Sequence, residues 1–478
     1  MQLVVTTPIA FLVFFAILYV GPVRGVVLFF ATMPFNSSAA FNLSGLGTVS
    51  LTDFGIVALF LALLLHGFTL SQIFSTLKPG QPGFSLLILV IVIAIGAVFL
   101  PRINAGNTEV FVLARRGDQG AIFLAPLTPV GGNIAQVIRM ILSGGAFVAL
   151  AAAFRRYPDA NMVLKGMTAA TLIHLLFSIA DLLSPYIGGN PFAFLRTGLV
   201  MILDSQVLLG VRRLIAGFPE PSAFSYYTVG LYGFWLRYWF GATKSPASTI
   251  FALLMGLLLI RSTSSAAYVA LTAFTFLFLA WQLRTVAKSR RSVMLYSVMT
   301  LAIPAMFGAM VLLYSLVPAV SEMLDRIVFT KLNSHSGEER MSWNTQALTN
   351  MVETSGLGAG IGSVRASSWI FVCLGSLGLL GTGIYLWFIG KVLLARPPSA
   401  MKATRTAEVV AALQAGCVAI LIQACLTKPY PNLETPFFAM AGLVAGLWYA
   451  MRAAQRSHAP VPPAPPVRIA GTAPVFRS

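Results

Sequence analysis

The stretch FSLLILVIVIAIGAVFL, residues 84–100, decides the fold: it is an unbroken apolar run without a single charged side chain. A bilayer's hydrocarbon core is about 30 Å thick and takes about 20 apolar residues as a helix, so this run reads as a transmembrane span. Comparable windows recur on both sides of it, at residues 8–33, 54–72, 132–154, 160–183, 222–240, 246–262, 265–283, 293–318, 367–390, 407–426 and 436–452. Together they make twelve. Gly21, Pro22 and Arg24 interrupt the first window and the segment 192–211 is also apolar, so the count ranges from eleven to thirteen. The expected fold is therefore all-α: a polytopic membrane domain over residues 1–456, with short helices in its long loops.

Composition agrees with that reading. Of the 478 residues 57% are hydrophobic and 10% charged, where soluble domains carry about a quarter charged residues. The net charge of +18 raises nucleic acid as a partner, but the 32 Lys and Arg sit mostly in short loops between apolar spans, not on one polar face. Membrane lipid and pyrophosphate suit that distribution better, and no nucleic-acid partner is expected. Cys373, Cys417 and Cys425 fall inside apolar spans without a CxxC or Cys/His spacing, so neither a disulfide nor a metal centre is expected. The N-terminus lacks the basic n-region and cleavage site of a signal peptide, and its first apolar stretch is expected to be retained. Residues 457–478, rich in Pro and Ala, read as a disordered basic tail.

Cytoplasmic loops are enriched in Lys and Arg, which orients the chain. Under the twelve-span count Lys78, Arg155, Arg156, Lys244, the run from Arg284 to Arg291, Lys391, Arg396, Lys402 and Arg405 fall on one side. That side is expected to be cytoplasmic, with both termini. The other side receives the long segments 101–131, 184–221 and 319–366, where function is expected. Treating 192–211 as a span would invert every later loop, so it is expected to be an interfacial helix holding Arg196 and Asp204.

The outer side should be poor in cations, yet Arg102, Arg115, Arg116, Arg196, Arg212, Arg213, Arg326, Lys331, Arg340 and Arg365 all map there. Guanidinium forks match phosphate oxygens. The plainer reading is pairing with Glu109, Asp118, Glu322, Asp325, Glu338 or Glu339, or with lipid headgroups. Two segments carry more than charge. In RRLIAGFPEPSAFSYY, 212–227, two arginines and Glu220 precede a span whose first turn suits Pro221 and Ser222. In SGEERMSWNTQALTNMVETSGLGAGIGSVRASSW, 336–369, an Arg-bearing amphipathic stretch leads into a loop with Gly356, Gly358, Gly360 and Gly362, whose N–H groups suit an anion. There is no GxxxxGK[ST] and no HExxH, and GAGIG at 358–362 lacks the strand–turn–helix setting of a dinucleotide fingerprint. His66 and His174 read as packed, hydrogen-bonded histidines.

These two segments resemble the GxxEPS-like and RxxxW…GxGxGSxRxSS-like runs of the bacterial superfamily of O-antigen polymerases, O-antigen ligases and exopolysaccharide polymerases. The resemblance covers the twelve-span layout and about seventy residues of motif. It implies an architecture like that of C-type glycosyltransferases, and the joining of undecaprenyl-pyrophosphate-linked oligosaccharides at the periplasmic face of the inner membrane without metal, ATP or cofactor. Periplasmic arginines hold the pyrophosphate; a flippase supplies substrate and a chain-length regulator is an expected partner. By position it singles out Arg340, Trp343, Arg365 and the pair Arg212 and Arg213. Ligases place a His and a small polar residue where this chain has Ser367 and Ser368, ahead of Gly378 and Gly381, which favours a polymerase over a ligase.

The expected chemistry is transfer from an already activated donor. Arg212, Arg213, Arg340 and Arg365, with Gly360 and Gly362, neutralise the departing pyrophosphate, and a carboxylate takes a proton from the attacking hydroxyl. Glu220 is the first choice for that base; Glu338 and Glu339 follow, weakened by the adjacent Arg340. Trp343, Tyr226, Ser367 and Ser368 are candidate saccharide contacts, with belt aromatics and helix capping as their plainer roles. A secondary transporter or lipid-linked saccharide flippase is the alternative from another class, supported by His174 and Asp181 on one helix face. A non-catalytic membrane scaffold is a third.

Overall fold

The computed structural model describes residues 2–43, 47–116, 119–203, 206–208, 211–241, 243, 245–286, 315–316, 321 and 335–457. The expected span 293–318 lies outside these residues but for Ser315 and Leu316. So do Lys244, Asp204, Arg326, Lys331 and the tail, and the side chains of Arg115 and Arg116.

The chain is a helical bundle. The helices are α1 (Thr7–Val20), α2 (Gly25–Thr32), α3 (Leu51–Leu65), the short α4 (Leu70–Phe74), α5 (Pro82–Ile103), α6 (Gly131–Arg156), α7 (Ala160–Leu183), α8 (Pro221–Trp239), α9 (Pro246–Arg261), α10 (Ser265–Val286), α11 (His335–Glu353), α12 (Trp369–Leu393), α13 (Arg405–Thr427) and α14 (Glu434–Ser457). Seven of them, α5, α6, α7, α10, α12, α13 and α14, are long and apolar enough to cross a bilayer, while α1, α3 and α9 are apolar but shorter. Window 8–33 splits where Gly21 takes a φ of 85° against the His66 ring. The stretch that opened the reading is α5, whose leucines and isoleucines alternate between a buried stripe (Leu86, Leu89, Ile93) and an exposed one (Leu87, Ile91, Ile95).

Close backbone approach at small residues holds the bundle, as apolar burial gives helices little reason to associate inside lipid. A Cβ at Gly442 would lie 2.5 Å from the Phe147 carbonyl oxygen, and one at Gly446 2.8 Å from that of Ala151, so α14 runs alongside α6 on a GxxxG face. Gly233 meets Ala415 and Ala419 in the same way, seating α8 on α13.

Two of the outer segments depart from expectation. Segment 101–131 forms an antiparallel hairpin of β3 (Glu109–Arg116) and β4 (Gln119–Pro126) rather than short helices. Among the described residues of 192–211 the expected interfacial helix is absent: they hold one 3₁₀ turn (Ala193–Leu195), bends and irregular chain to 203, and the small hairpin β5 (Val207–Leu208) with β6 (Val211–Arg212). Beyond that turn and hairpin, the segment's polar groups bond across to the N-terminal region. The Gly198 N–H donates to Ser37 O at 2.9 Å, the Leu199 N–H to Thr48 Oγ1 at 2.8 Å, and Thr197 Oγ1 accepts from the Ala39 N–H at 3.0 Å. There β1 (Ala39–Leu43) and β2 (Gly47–Ser50) make the third hairpin. Segment 319–366 does contain a helix, α11.

The charges sort to two ends. Arg155 lies over the Tyr449 ring and bonds Ser75, Arg156 bonds Gly67, Arg405 bonds Asn161, and the Arg396 carbonyl accepts from Trp448. At the opposite end Asn133 donates to Ile361 O, Trp369 to Pro431 O and Tyr226 to Leu433 O.

Candidate functional site

At that second end, the amphipathic α11 organises the site. Arg340, Trp343 and Asn344 share a face by their spacing of three and four, and the chain just before α12 folds onto it. The Arg365 guanidinium lies 4.6 Å from the Trp343 ring centroid, the Ser367 N–H donates to Asn344 Oδ1 at 2.9 Å, and the Ser367 hydroxyl reaches the Arg340 carbonyl at 3.4 Å. Trp343 is buried against Phe111 of β3, and Asn350 donates to Thr108 Oγ1 at 2.7 Å, which ties α11 to the hairpin.

A cavity of about 230 Å³ opens between that hairpin, residues 362–365 and Tyr430. Arg365 lines it, and its buried Nε has no hydrogen-bond partner among the described residues. An unpaired buried N–H of this kind costs about 1–3 kcal/mol, which an acceptor in the cavity would recover.

The Arg212 and Arg213 pair splits, as side chains of successive residues on an extended strand point to opposite faces. Arg212 turns to Asp181 at the end of α7, 3.2 Å away, and donates also to Ser184. Asp181 is buried and collects Arg196 at 3.5 Å, Asn190, and the N–H groups of Ile215 and Ala216. Two expectations change: Arg212 and Arg196 share the single Asp181 carboxylate in a structural cluster, and Asp181 is their common counter-ion rather than half of a transport pair with His174. His174 bonds Thr228 Oγ1 at 2.9 Å among Phe218, Phe224 and Tyr227.

Arg213 faces the other way, braced by Gln206 at 2.8 Å, with a buried Nε that bonds no described residue. Burial pushes its guanidinium below the usual arginine range; the nearby Arg340 pushes it the same way, and Glu220 and Tyr268 oppose the shift. Glu220 is the N-cap residue of α8 and accepts from the Ser222 hydroxyl. Among the described residues neither Arg213, Arg340 nor Arg365 forms a salt bridge. Glu338 is exposed and Glu339 half-buried on the first turn of α11.

The glycine loop is not the anion cradle the sequence implied, at least through Gly360. Its N–H donates to Ser376 O at 3.0 Å, the Ala359 N–H to Gly375 O at 2.8 Å, and the Leu379 N–H to Gly356 O. The loop thus fills a break in α12 at Gly378, whose φ is 65°. Close approach explains these glycines: a Cβ at Gly358 would lie 2.5 Å from Gly378 N, and one at Gly362 2.5 Å from Gly132 O. The N–H groups of Gly362, Val364 and Arg365 make no hydrogen bond among the described residues and border the cavity.

Tyr226 is 2% exposed, its hydroxyl bonded and Lys428 Nζ 4.2 Å from its ring centroid, so its face is occupied rather than offered to a sugar. Ser368 sits at the N-cap of α12 without a side-chain capping bond. No group of three or more His, Cys, Asp or Glu among the described residues is arranged to hold a metal.

No family model and no curated protein matches the chain. What its site does therefore rests on geometry: arginines that form no salt bridge among the described residues, Glu220 acting on Arg213, and Arg365 stacked on Trp343 at the cavity.

Proposed function

We propose that the chain is a polysaccharide polymerase, joining undecaprenyl-pyrophosphate-linked oligosaccharide units at the periplasmic face of a bacterial inner membrane, with both termini cytoplasmic. The observation that carries this reading is the Arg365 guanidinium, which lines the cavity of about 230 Å³ and keeps a buried Nε that meets no acceptor among the described residues. An anion such as pyrophosphate supplies that acceptor. Arg340, on the α11 face that carries Trp343, and Arg213, whose guanidinium Arg340 disfavours, add further positive charge at this end.

In this mechanism the donor's own pyrophosphate is the leaving group. Arg213 and Arg340 stabilise the charge that grows on it as the anomeric C–O bond to the pyrophosphate breaks and the acceptor oxygen forms the new glycosidic bond, a task that preorganised donors perform best away from water. Glu220, within electrostatic reach of Arg213, takes the proton of the attacking sugar hydroxyl, and Trp343, buried with the Arg365 guanidinium over its ring, holds that cation at the cavity. Every group required is a side chain of this chain.

The test is a purified full-length chain in proteoliposomes with undecaprenyl-pyrophosphate-linked oligosaccharide, without ATP or added metal. A ladder of multiples, slowed about 10²–10³-fold in Arg213→Ala, Arg340→Ala and Arg365→Ala, is the expected result. Intact substrate that instead crosses the bilayer makes the chain a transporter.

A further inference from the structure

A second cavity, of about 170 Å³, lies at the same end of the bundle between α3, α6 and the start of α14. None of the arginine-site residues lines it. Its walls are polar inside an otherwise apolar bundle, with Asp53, Arg139, Ser143, Asn432 and Glu434 among them.

Charge sets this cavity apart from the arginine site. Asp53 and Glu434 balance Arg139 together with Lys428, which pairs with Glu434, so a multiply charged anion finds no excess of cations here. A hydroxyl-rich group finds complementary partners: carboxylate oxygens that accept, guanidinium and amide groups that donate, and the Ser143 hydroxyl that does both. One oxygen of Asp53 accepts from the Ser50 N–H at 3.1 Å and the Ser50 hydroxyl at 2.8 Å, and the other makes no hydrogen bond among the described residues. Asn432 reaches Ser143 Oγ at 3.2 Å, which leaves its second amide hydrogen for a ligand.

Two further observations mark the cavity as built. Glu434 holds a φ of 61°, rare for a side-chain-bearing residue, with its N–H fixed by Asn432 Oδ1 at 2.8 Å; such strain gathers at ligand sites. Arg139 stands exposed within the apolar α6, beside the lipid-facing Ile138 and Ile141, and bonds no described residue. An ionisable side chain at such a place is costly unless it serves the site it borders.

We propose that this cavity binds a sugar ring of the acceptor saccharide, apart from the arginines that hold pyrophosphate. The proposal rests on the polymerase reading, but its test is separable. The full chain in lipid nanodiscs is probed by saturation-transfer NMR with the oligosaccharide released by mild acid from the expressing cell's lipid-linked pool, which carries no phosphate. In parallel it is probed with undecaprenyl pyrophosphate, which carries no sugar. The released oligosaccharide should bind wild type and Arg213→Ala alike, and about tenfold more weakly to Asp53→Asn, Glu434→Gln and Arg139→Gln. Undecaprenyl pyrophosphate should show the reverse dependence. Arg139→Gln keeps the test open should the carboxylate variants fail to fold, because that side chain is exposed and unbonded. Oligosaccharide binding unchanged in the cavity variants, or absent from wild type, overturns the proposal even if the wild-type chain builds a ladder. Binding lost in the variants without any ladder upholds the cavity and overturns the polymerase.

Discussion

Replacing Gly360 by alanine separates a packing role for the glycine loop from an anion-binding one. A Cβ at this position would lie 2.7 Å from Pro101 Cγ and 2.8 Å from its Cδ, on a backbone whose φ is +89°. The proline ring is part of the α5 backbone and has no rotamer in which to move aside. A left-handed conformation costs an L-residue about 1–2 kcal/mol, and forced overpacking costs about 1–3 kcal/mol more, for a total of about 2–5 kcal/mol. At about 2 °C per kcal/mol for a chain of this size, the melting temperature should fall by roughly 4–10 °C. Thermal unfolding of purified protein in nanodiscs measures this. Pyrophosphate binding by the folded fraction, measured alongside, should be unchanged, because the Gly360 N–H is already bonded to Ser376 O. An unshifted melting temperature with weakened anion binding would refute the packing argument.

Asp181→Asn leaves Arg196 and Arg212 without their buried counter-charge and should cost about 3–5 kcal/mol, seen as a lower melting temperature; an unchanged one would sink the counter-ion assignment. Arg213→Met should raise the melting temperature of the ligand-free protein. The folded-state pKa lies below the unfolded one, so the folded chain holds the proton less well; the cost is fully present at neutral pH and fades only as pH rises through the folded value, whereas methionine removes it at all pH. The same variant should lose the stabilisation that pyrophosphate confers on wild type, and a fall in its ligand-free melting temperature would count against the reasoning. In a background without Cys373, Cys417 and Cys425, a membrane-impermeant maleimide added to intact spheroplasts should label Glu338→Cys and spare Lys402→Cys; the opposite pattern inverts the proposed orientation.

The helices were legible in the sequence because a bilayer demands long apolar runs, and α5, α6, α12 and α13 announce themselves by length alone. The hairpin over 109–126 was not, since its alternation is short and lies within a segment read only for its charges. The segment 192–211 misled for a related reason: its apolar residues have no period, and its bonding partners, Ser37 and Thr48, lie about 150 positions earlier in the chain. For the site, residue type located Arg213, Glu220, Arg340, Trp343 and Arg365 at one end of the bundle but did not reveal which arginines have counter-ions. Asp181 reaches Arg212 and Arg196 from another helix, a distance no local pattern records. Arg139 did leave a trace, being the one charge in the middle of window 132–154, and the prolines at 429, 431 and 436 marked the bend that carries Asn432 and Glu434.

Adjacent arginines with opposite fates say something about what the fold preserves. Arg212 shows that the bundle is able to give a guanidinium a buried counter-charge at this end, since Asp181 accepts from it, from Asn190 and from two backbone N–H groups, and pairs with Arg196 as well. One residue later Arg213 has no such partner among the described residues; it is desolvated, disfavoured by the charge of Arg340, and keeps an Nε that meets no described acceptor. Had stability alone shaped this end, an apolar residue at 213 would cost less than a charge placed in that way. A cation kept in unfavourable surroundings gains most from an anion that arrives later. If that anion's charge is greatest as its bond to the transferred group breaks, the further gain falls on the transition state and appears as rate. A pyrophosphate leaving group, charged in the donor and gaining a further negative charge as it departs, fits this condition better than a permanent lipid headgroup of constant charge.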